Sequence, residues 1–364
     1  LDVIFHLDLQ NKTGAVIESS SQNVEAYLLF CDRACWISTH EHIIQRIIRQ
    51  QASTMAASLT TGSDEFPVRI PNIQYAEASE LNTLSVTLLR KPMPNDTARL
   101  FLVYIHGGAW RDPAIPASSF APTEKHLLSN VTPAIQDKIS GIASINYRLS
   151  PYPAHPTNPS NPHDPARNAR HPDHINDVLA AILYLQEKYS FGNRYVLIGH
   201  SCGATLALQV AMKRFWGSQY DPTAALELNV EPPLAIIGVS GIYDVAGLVD
   251  DNAAQPAYRD LVVNAMGSGV KVWEEASPVD GDYEDGWQDG KLAVLLHSED
   301  DELVAMKQPG TMWRVLGEQG FSEEVGSEKT RKFIKVQGVK HDEIWEDGEA
   351  LADVILQTVE DLAR

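Results

Sequence analysis

The sequence predicts an α/β fold, a doubly wound and mostly parallel sheet flanked by helices, on two observations. Short β-rich runs alternate with amphipathic stretches from about residue 82 to the C-terminus, the order that builds a parallel sheet with crossover helices. Several of these runs are continuous Val/Ile/Leu segments and not strict alternations, as expected of strands covered on both faces.

Taken in order, residues 1–65 show no clear sheet pattern and read as a separate N-terminal extension, arm or cap, followed by the main domain at 66–364. Candidate strands are LSVTLLR (84–90), LFLVYI (100–105), IASINYRL (142–149), RYVLIG (194–199), LAIIGVSG (234–241), LAVLLH (292–297) and RKFIKVQ (331–337). Helix-like segments lie near 122–129, 174–189, 203–215, 304–318 and 347–363. The stretch 151–172, PYPAHPTNPSNPHDPARNARHP, holds too much proline to be a regular element. Such a loop beside a sheet edge shapes a substrate pocket about as often as it is a plain insertion. Residues 275–290, EASPVDGDYEDGWQDG, read as a solvated acidic loop.

Bulk properties narrow the function. With 44% apolar and 21% charged residues in 364, the chain is a globular protein with a large core. Its net charge of −19 argues against nucleic acid and against anionic lipid as partners. No apolar run reaches the roughly 20 residues that span a bilayer. The first ten residues lack a basic region and a small-residue cleavage site, so no secretory signal is read there. Three cysteines make no disulfide framework and favour a reducing compartment, the cytoplasm. Sequons at Asn11, Asn95 and Asn130 would matter only in a secretory compartment.

The chemistry concentrates at four places. Gly199-His200-Ser201-Cys202-Gly203 stands directly after a strand and directly before a helix, the context a nucleophile elbow requires. Its glycines permit a turn too tight for a Cβ, and the turn lifts the Ser201 hydroxyl above the sheet edge. The helix N-terminus and the Cys202 amide then face a developing oxyanion. His106-Gly107-Gly108-Ala109-Trp110, after the strand LFLVYI, supplies the other oxyanion amides from Gly107 and Gly108, with His106 itself a structural hydrogen-bonder. The acid should follow a late strand: LAVLLH leads into Ser298-Glu299-Asp300-Asp301-Glu302, where Asp301 is favoured and Asp300 is the fallback. Asp244 is read as structural. The base should come last, and His341 is the only histidine after Asp301. Ser201, Asp301 and His341 thus stand in the chain order of an α/β-hydrolase triad, which needs no metal and no organic cofactor. Two weaker groups, Cys31 and Cys35 with His40 and His42, and the loop residues His155, His163, His171, His174, Asp164 and Asp173, match no usual metal spacing or catalytic pattern.

Seven segments carry a family resemblance: HGGAW (106–110), NYRLSP (146–151), ARHPDHINDV (169–178), GHSCGAT (199–205), GIYD (241–244), HSEDDELV (297–304) and HDEIWE (341–346). Over roughly residues 75–364 the chain resembles fungal kynurenine formamidase (arylformamidase), in the esterase/lipase branch of the α/β-hydrolases. That resemblance implies hydrolysis of N-formyl-L-kynurenine to L-kynurenine and formate in tryptophan catabolism. Formamide hydrolysis needs only a small acyl pocket, and Trp110 beside the oxyanion loop is expected to crowd a long acyl chain or to stack on an aromatic leaving group. Two other readings share the residues: a general short-chain carboxylesterase acting on ester substrates, and a catalytically silent binding protein of the same fold. A homodimer stays open.

Overall fold

Strands form where the apolar runs are longest, because a strand covered by helices on both sides needs no polar face. The computed structural model describes residues 4–6, 15–18 and 26–28, then 66–363 apart from 94, 95, 97, 130, 131, 216–229 and 325. The chain divides into two units, Leu1–Asp64 and Glu65–Arg364.

In the first unit three short strands, β1 (Ile4–His6), β2 (Ala15–Glu18) and β3 (Ala26–Leu28), pair antiparallel in that order. This corrects the expectation of no sheet pattern in residues 1–65: strands of three or four residues are too short to show alternation. Cys31, Cys35, His40, His42 and the three sequon asparagines lie outside the described residues.

The second unit holds an eight-stranded sheet: β4 (Val68–Gln74), β5 (Thr83–Leu88), β6 (Leu100–Ile105), β7 (Ile139–Ile145), β8 (Tyr195–His200), β9 (Ala235–Val239), β10 (Leu292–Ser298) and β11 (Thr330–Val336). Their spatial order is β11-β10-β9-β8-β6-β7-β5-β4. Only the β4–β5 and β5–β7 pairs are antiparallel. The chain therefore enters through an antiparallel edge, and strand order reverses around β6, β7 and β8, where the carboxyl ends of neighbouring strands open a crevice.

Side-chain alternation splits the core into two layers. Val103, Ile105, Leu197 and Leu295 face one way, packing with helices α2 (Asp173–Tyr189) and α3 (Cys202–Val210). Leu102, Tyr104, Val196, Ile198, Val294 and Leu296 face the other. They lie beneath α1 (Ala121–Ser129), whose Leu127 joins that layer, and the C-terminal helix Glu349–Leu362. Between β9 and β10 the longer helices, which the sequence reading left unassigned, are α4 (Val245–Asp251), α5 (Pro256–Met266) and α6 (Val270–Ala276), followed by a single helical turn at Tyr283–Gly286. Lys307–Glu318, α7, follows β10, and the C-terminal helix is α8.

The acidic stretch 275–290 differs from the expected solvated loop. Its carboxylates point outward, but Tyr283 and Trp287 are fully buried, with Trp287 Nε1 donating to Pro233 O at 2.6 Å and Tyr283 OH to Pro278 O at 2.7 Å. Composition hid this because the aromatic residues are outnumbered by the charges beside them. The 151–172 loop is irregular except for one turn at Pro165–Arg167. Arg167 holds it closed by bonding the side chain and the carbonyl of Asn158 at 2.8 and 2.9 Å. No helix among the described residues is long and apolar enough to cross a membrane.

Candidate active site

The elbow is built by close approach. A Cβ on Gly199 would collide with the Gly203 carbonyl, and one on Gly203 would collide with the carbonyls of Ile105 and His106. Both glycines are therefore obligatory, and β6, β8 and α3 meet at backbone distance. Ser201 sits between them at φ 53°, ψ −120°, a region costly for any residue with a side chain and held only by its surroundings. Those surroundings are hydrogen bonds to the next strand: Ser201 N donates to Val239 O at 2.8 Å, and Ile242 N to Ser201 O at 3.3 Å.

The HGGAW turn lies against the elbow. A Cβ on Gly107 would come 2.5 Å from His200 Nδ1 and 3.1 Å from Ser201 Cβ. Gly108, Ala109 and Trp110 all have positive φ, which turns successive amides to one side of the chain. Among the described residues, the amides of Gly107, Gly108 and Cys202 donate to no backbone carbonyl. These amides are thus left without a backbone acceptor, as donors to an oxyanion must be.

The turn is locked from behind, in part by Tyr147, to which the sequence reading gave no role. Trp110 N donates to Cys202 Sγ at 3.1 Å. The Tyr147 hydroxyl lies 3.0 and 3.2 Å from the carbonyls of His106 and Gly107 and 3.6 Å from Cys202 Sγ. The Tyr147 ring stacks on His106 at 4.3 Å. Burial raises the Cys202 thiol to about 11, so it is a neutral hydrogen-bond acceptor and not a thiolate nucleophile. Burial likewise lowers His106 to about 4, leaving it neutral, with Nδ1 bonded to Gly107 O at 2.9 Å, the structural part expected of it.

Trp110 differs from its expected place. It is 1% exposed and belongs to the core layer with Tyr147 and Cys202. Its indole therefore presents no open face for a substrate to stack on. A large side chain beside the glycines suggested a pocket wall, yet the indole is packed in the core while the Trp110 amide ties the turn to Cys202.

Asp301 and His341 come together. His341 Nδ1 donates to Asp301 Oδ2 at 2.8 Å, and the Asp301 side chain is 1% exposed. Burial opposes the charge of Asp301. The hydrogen bond from His341 and the amides of Val304 and Leu303 outweigh that opposition and hold its carboxyl below the usual range. Asp300 is exposed and accepts from Gly338 N, away from the imidazole. Asp244 caps α4 through Gly247 N at 2.7 Å.

Three further groups position this pair. His200 Nε2 donates to the His341 carbonyl at 3.1 Å, with the two rings 4.7 Å apart, so the elbow's own second residue fixes the base. Glu302 accepts from His341 N at 3.2 Å. His297 Nε2 binds Val304 O at 2.8 Å and lies 3.6 Å from Asp301 Oδ2. The only sequence signal for His200 and His297 was a histidine closing an apolar strand. With Nδ1 bonded to Asp301, Nε2 is the His341 nitrogen left over, and among the described residues no hydrogen bond joins it to Ser201 Oγ. Such looseness is usual before substrate binds. His200, His341 and Asp342 bring potential metal-ligand atoms within 4.8 Å, but an ion there would compete for the imidazole that Asp301 already orients.

The loop histidines have structural partners. His174 Nε2 meets Ser150 Oγ at 2.9 Å, and burial lowers its pKa to about 3. His155 Nε2 lies 3.3 Å from Asp112 Oδ1, which joins the 151–172 loop to the residues just after the oxyanion turn. His171 sits in a cis His171-Pro172 bond, its amide donating to Ala265 O at 2.7 Å. His163 is exposed.

Gly107→Ala tests the oxyanion turn. The added methyl would push on His200 and Ser201, displacing one donor. The expected result is a kcat about 10²- to 10³-fold lower, measured by steady-state kinetics, with a Tm within a few degrees of the parent.

Comparison with known proteins agrees with this architecture. The BD-FAE family model matches residues 89–316. A kynurenine formamidase-like hydrolase, fscH of Fusarium equiseti, is 40% identical over 295 residues, covering 80% of this chain and 93% of that protein. Kynurenine formamidase avaC of Aspergillus versicolor is 35% identical over 299 residues, covering 78% and 96%. Among solved structures, esterase B from Lactobacillus rhamnosis superimposes with a TM-score of 0.56 at 15% identity over 90% of this chain and 96% of that one. A hyperthermophilic esterase from Pyrobaculum calidifontis gives 0.53 at 12% over 88% and 93%. At such identities these structures speak for the fold alone, the α/β-hydrolase fold.

Proposed function

Because this chain belongs to the BD-FAE family and to the kynurenine formamidases, we propose that it is a serine hydrolase of aryl formamides, with N-formyl-L-kynurenine as its substrate and L-kynurenine and formate as products. The observation that carries the reading is the buried 2.8 Å hydrogen bond from His341 to Asp301, beside a serine in strained elbow geometry.

The chemistry follows from that arrangement. His341 Nε2 takes the Ser201 proton as Oγ attacks the formyl carbon, and the carbonyl electron pair moves onto oxygen. That oxyanion is held by the amides of Gly107, Gly108 and Cys202. Asp301 stays ionised and stabilises the imidazolium. The imidazolium then protonates the aniline nitrogen, the C–N bond breaks, and the aryl amine leaves. Water repeats the sequence on the formyl-serine and releases formate. A formyl group adds only hydrogen beyond its carbonyl, so the crowded space between Gly107 and Ser201 suits it. Cytoplasm remains the proposed compartment, supported by the odd count of three cysteines.

The test is a spectrophotometric comparison of N-formyl-L-kynurenine with p-nitrophenyl acetate on one preparation. A kcat/KM favouring the formamide by about tenfold or more is expected, which by the usual conversion is about 1.4 kcal/mol of differential transition-state binding. A preference for acetyl or longer esters would replace this reading with the short-chain carboxylesterase.

A further inference from the structure

Arg111 directly follows the oxyanion turn, its amide donating to Gly108 O at 2.9 Å. Its guanidinium lies over the Tyr152 ring, 4.1 Å from the centroid, in contact with the 151–172 loop. Among the described residues no carboxylate comes within 4 Å of it. The carboxylate next in sequence, Asp112, is engaged elsewhere, by His155 at 3.3 Å and by Ala114 N at 2.8 Å. Asp260, on α5, acts on Arg111 only electrostatically, and burial draws the arginine's pKa below its ordinary value despite these neighbours. The same helix reaches the acid loop, where Tyr258 OH donates to Leu303 O at 2.8 Å, two residues from Asp301. Arg111 therefore stands between the oxyanion turn, the proline-rich loop and α5, the helix that also reaches the loop carrying Asp301.

A half-buried guanidinium lying over an aromatic ring with no acid partner is unusual, because withdrawing the charge from water calls for a compensating anion. Among the described residues no hydrogen bond uses the guanidinium edge. That edge presents parallel N–H donors in the plane that matches a carboxylate bidentately.

We propose that Arg111, backed by Tyr152, is the subsite for the carboxylate of the substrate's amino-acid end, so that this hydrolase selects aryl formamides carrying an anionic tail. The inference rests on the formamide reading above and adds the substrate class. Arg111 acts on selection and not on bond breaking: the formyl carbon lies at Ser201, while the carboxylate several bonds away fixes the aryl ring.

The experiment compares N-formyl-L-kynurenine with N-formyl-2-aminoacetophenone, which keeps the formamide and the aryl ketone but lacks the amino-acid end. The parent enzyme should favour the carboxylate substrate in kcat/KM by about 10- to 100-fold, the range of a charge-assisted bidentate contact. In Arg111→Gln that ratio should fall towards one, mainly through KM, and Arg111→Lys should give an intermediate ratio. Taking the ratio within each preparation removes any difference in folded fraction. A parent enzyme indifferent to the carboxylate would overturn the proposal, even if no variant folded. So would an Arg111→Gln ratio equal to the parent's. Failure of the formamide reading looks different, because neither formamide would then be turned over.

Discussion

Ser201→Ala is expected to lower kcat on N-formyl-L-kynurenine by about 10⁵- to 10⁶-fold, the scale of removing the nucleophile from a triad that acts as a unit. Labelling by a fluorophosphonate probe should disappear with it. The loss would come from chemistry and not from folding. Ser201 Oγ supports no hydrogen bond of the fold among the described residues, and the elbow's strain is carried by Gly199, Gly203 and the bond to Val239. Removing the hydroxyl leaves the oxyanion amides and the binding site, so a residual rate above that of water should remain. Equal labelling of parent and variant would show that the reactive group lies elsewhere.

Asp301→Asn should cost about 10⁴-fold in kcat, close behind the nucleophile and far beyond what its size change suggests. In the parent, Oδ2 accepts the Nδ1 proton of His341 while Oδ1 accepts from Leu303 N and Val304 N. Those two amides would hold the carboxamide oxygen where Oδ1 is now, turning the new NH₂ group towards His341. A donor there drives the imidazole proton onto Nε2, the nitrogen that must accept the proton of Ser201. Geometry is kept and the tautomer is wrong. Asp300→Asn is the matched control: its side chain is exposed and meets Gly338 N, so kcat should change by no more than a few-fold. Similar losses in both variants, measured as kcat with Tm followed alongside, would break the assignment of Asp301 as orienting acid.

How far the site was legible depended on whether a residue's role is local. Gly199, Gly203 and Gly107 are needed because a strand, a turn and a helix approach within a Cβ of each other, and that requirement is written in consecutive letters. The positions of Asp301 and His341 followed from a rule about which strand ends carry the acid and the base. Asp301 is favoured over Asp300 by its place before the next helix, and the side-chain contacts agree: Asp301 meets Val304 N and His341, while Asp300 turns outward. Trp110 reads as a pocket wall in sequence because its burial arises in a core shared with Tyr147 and Cys202, residues far from it in the chain. Tyr283 and Trp287 were missed for a similar reason, as two aromatics among acidic residues look solvated until the partner surface is known. The parts played by Tyr147 and His200 depend on contacts between segments 40 to 141 residues apart, whereas His297 acts locally, on Val304 and Asp301.

The sequence by itself determined the layered α/β architecture, since continuous apolar runs separated by amphipathic segments have few other ways to bury both strand faces. It also determined the nucleophile turn, because only glycine tolerates such close backbone approach. Tertiary structure alone decided where Trp110 goes, and that the guanidinium of Arg111 lies over Tyr152 with no carboxylate within 4 Å among the described residues. Those outcomes are set by which distant surfaces come into contact. A side chain's surroundings, and hence its charge and hydrogen bonds, exist only once the chain has closed on itself.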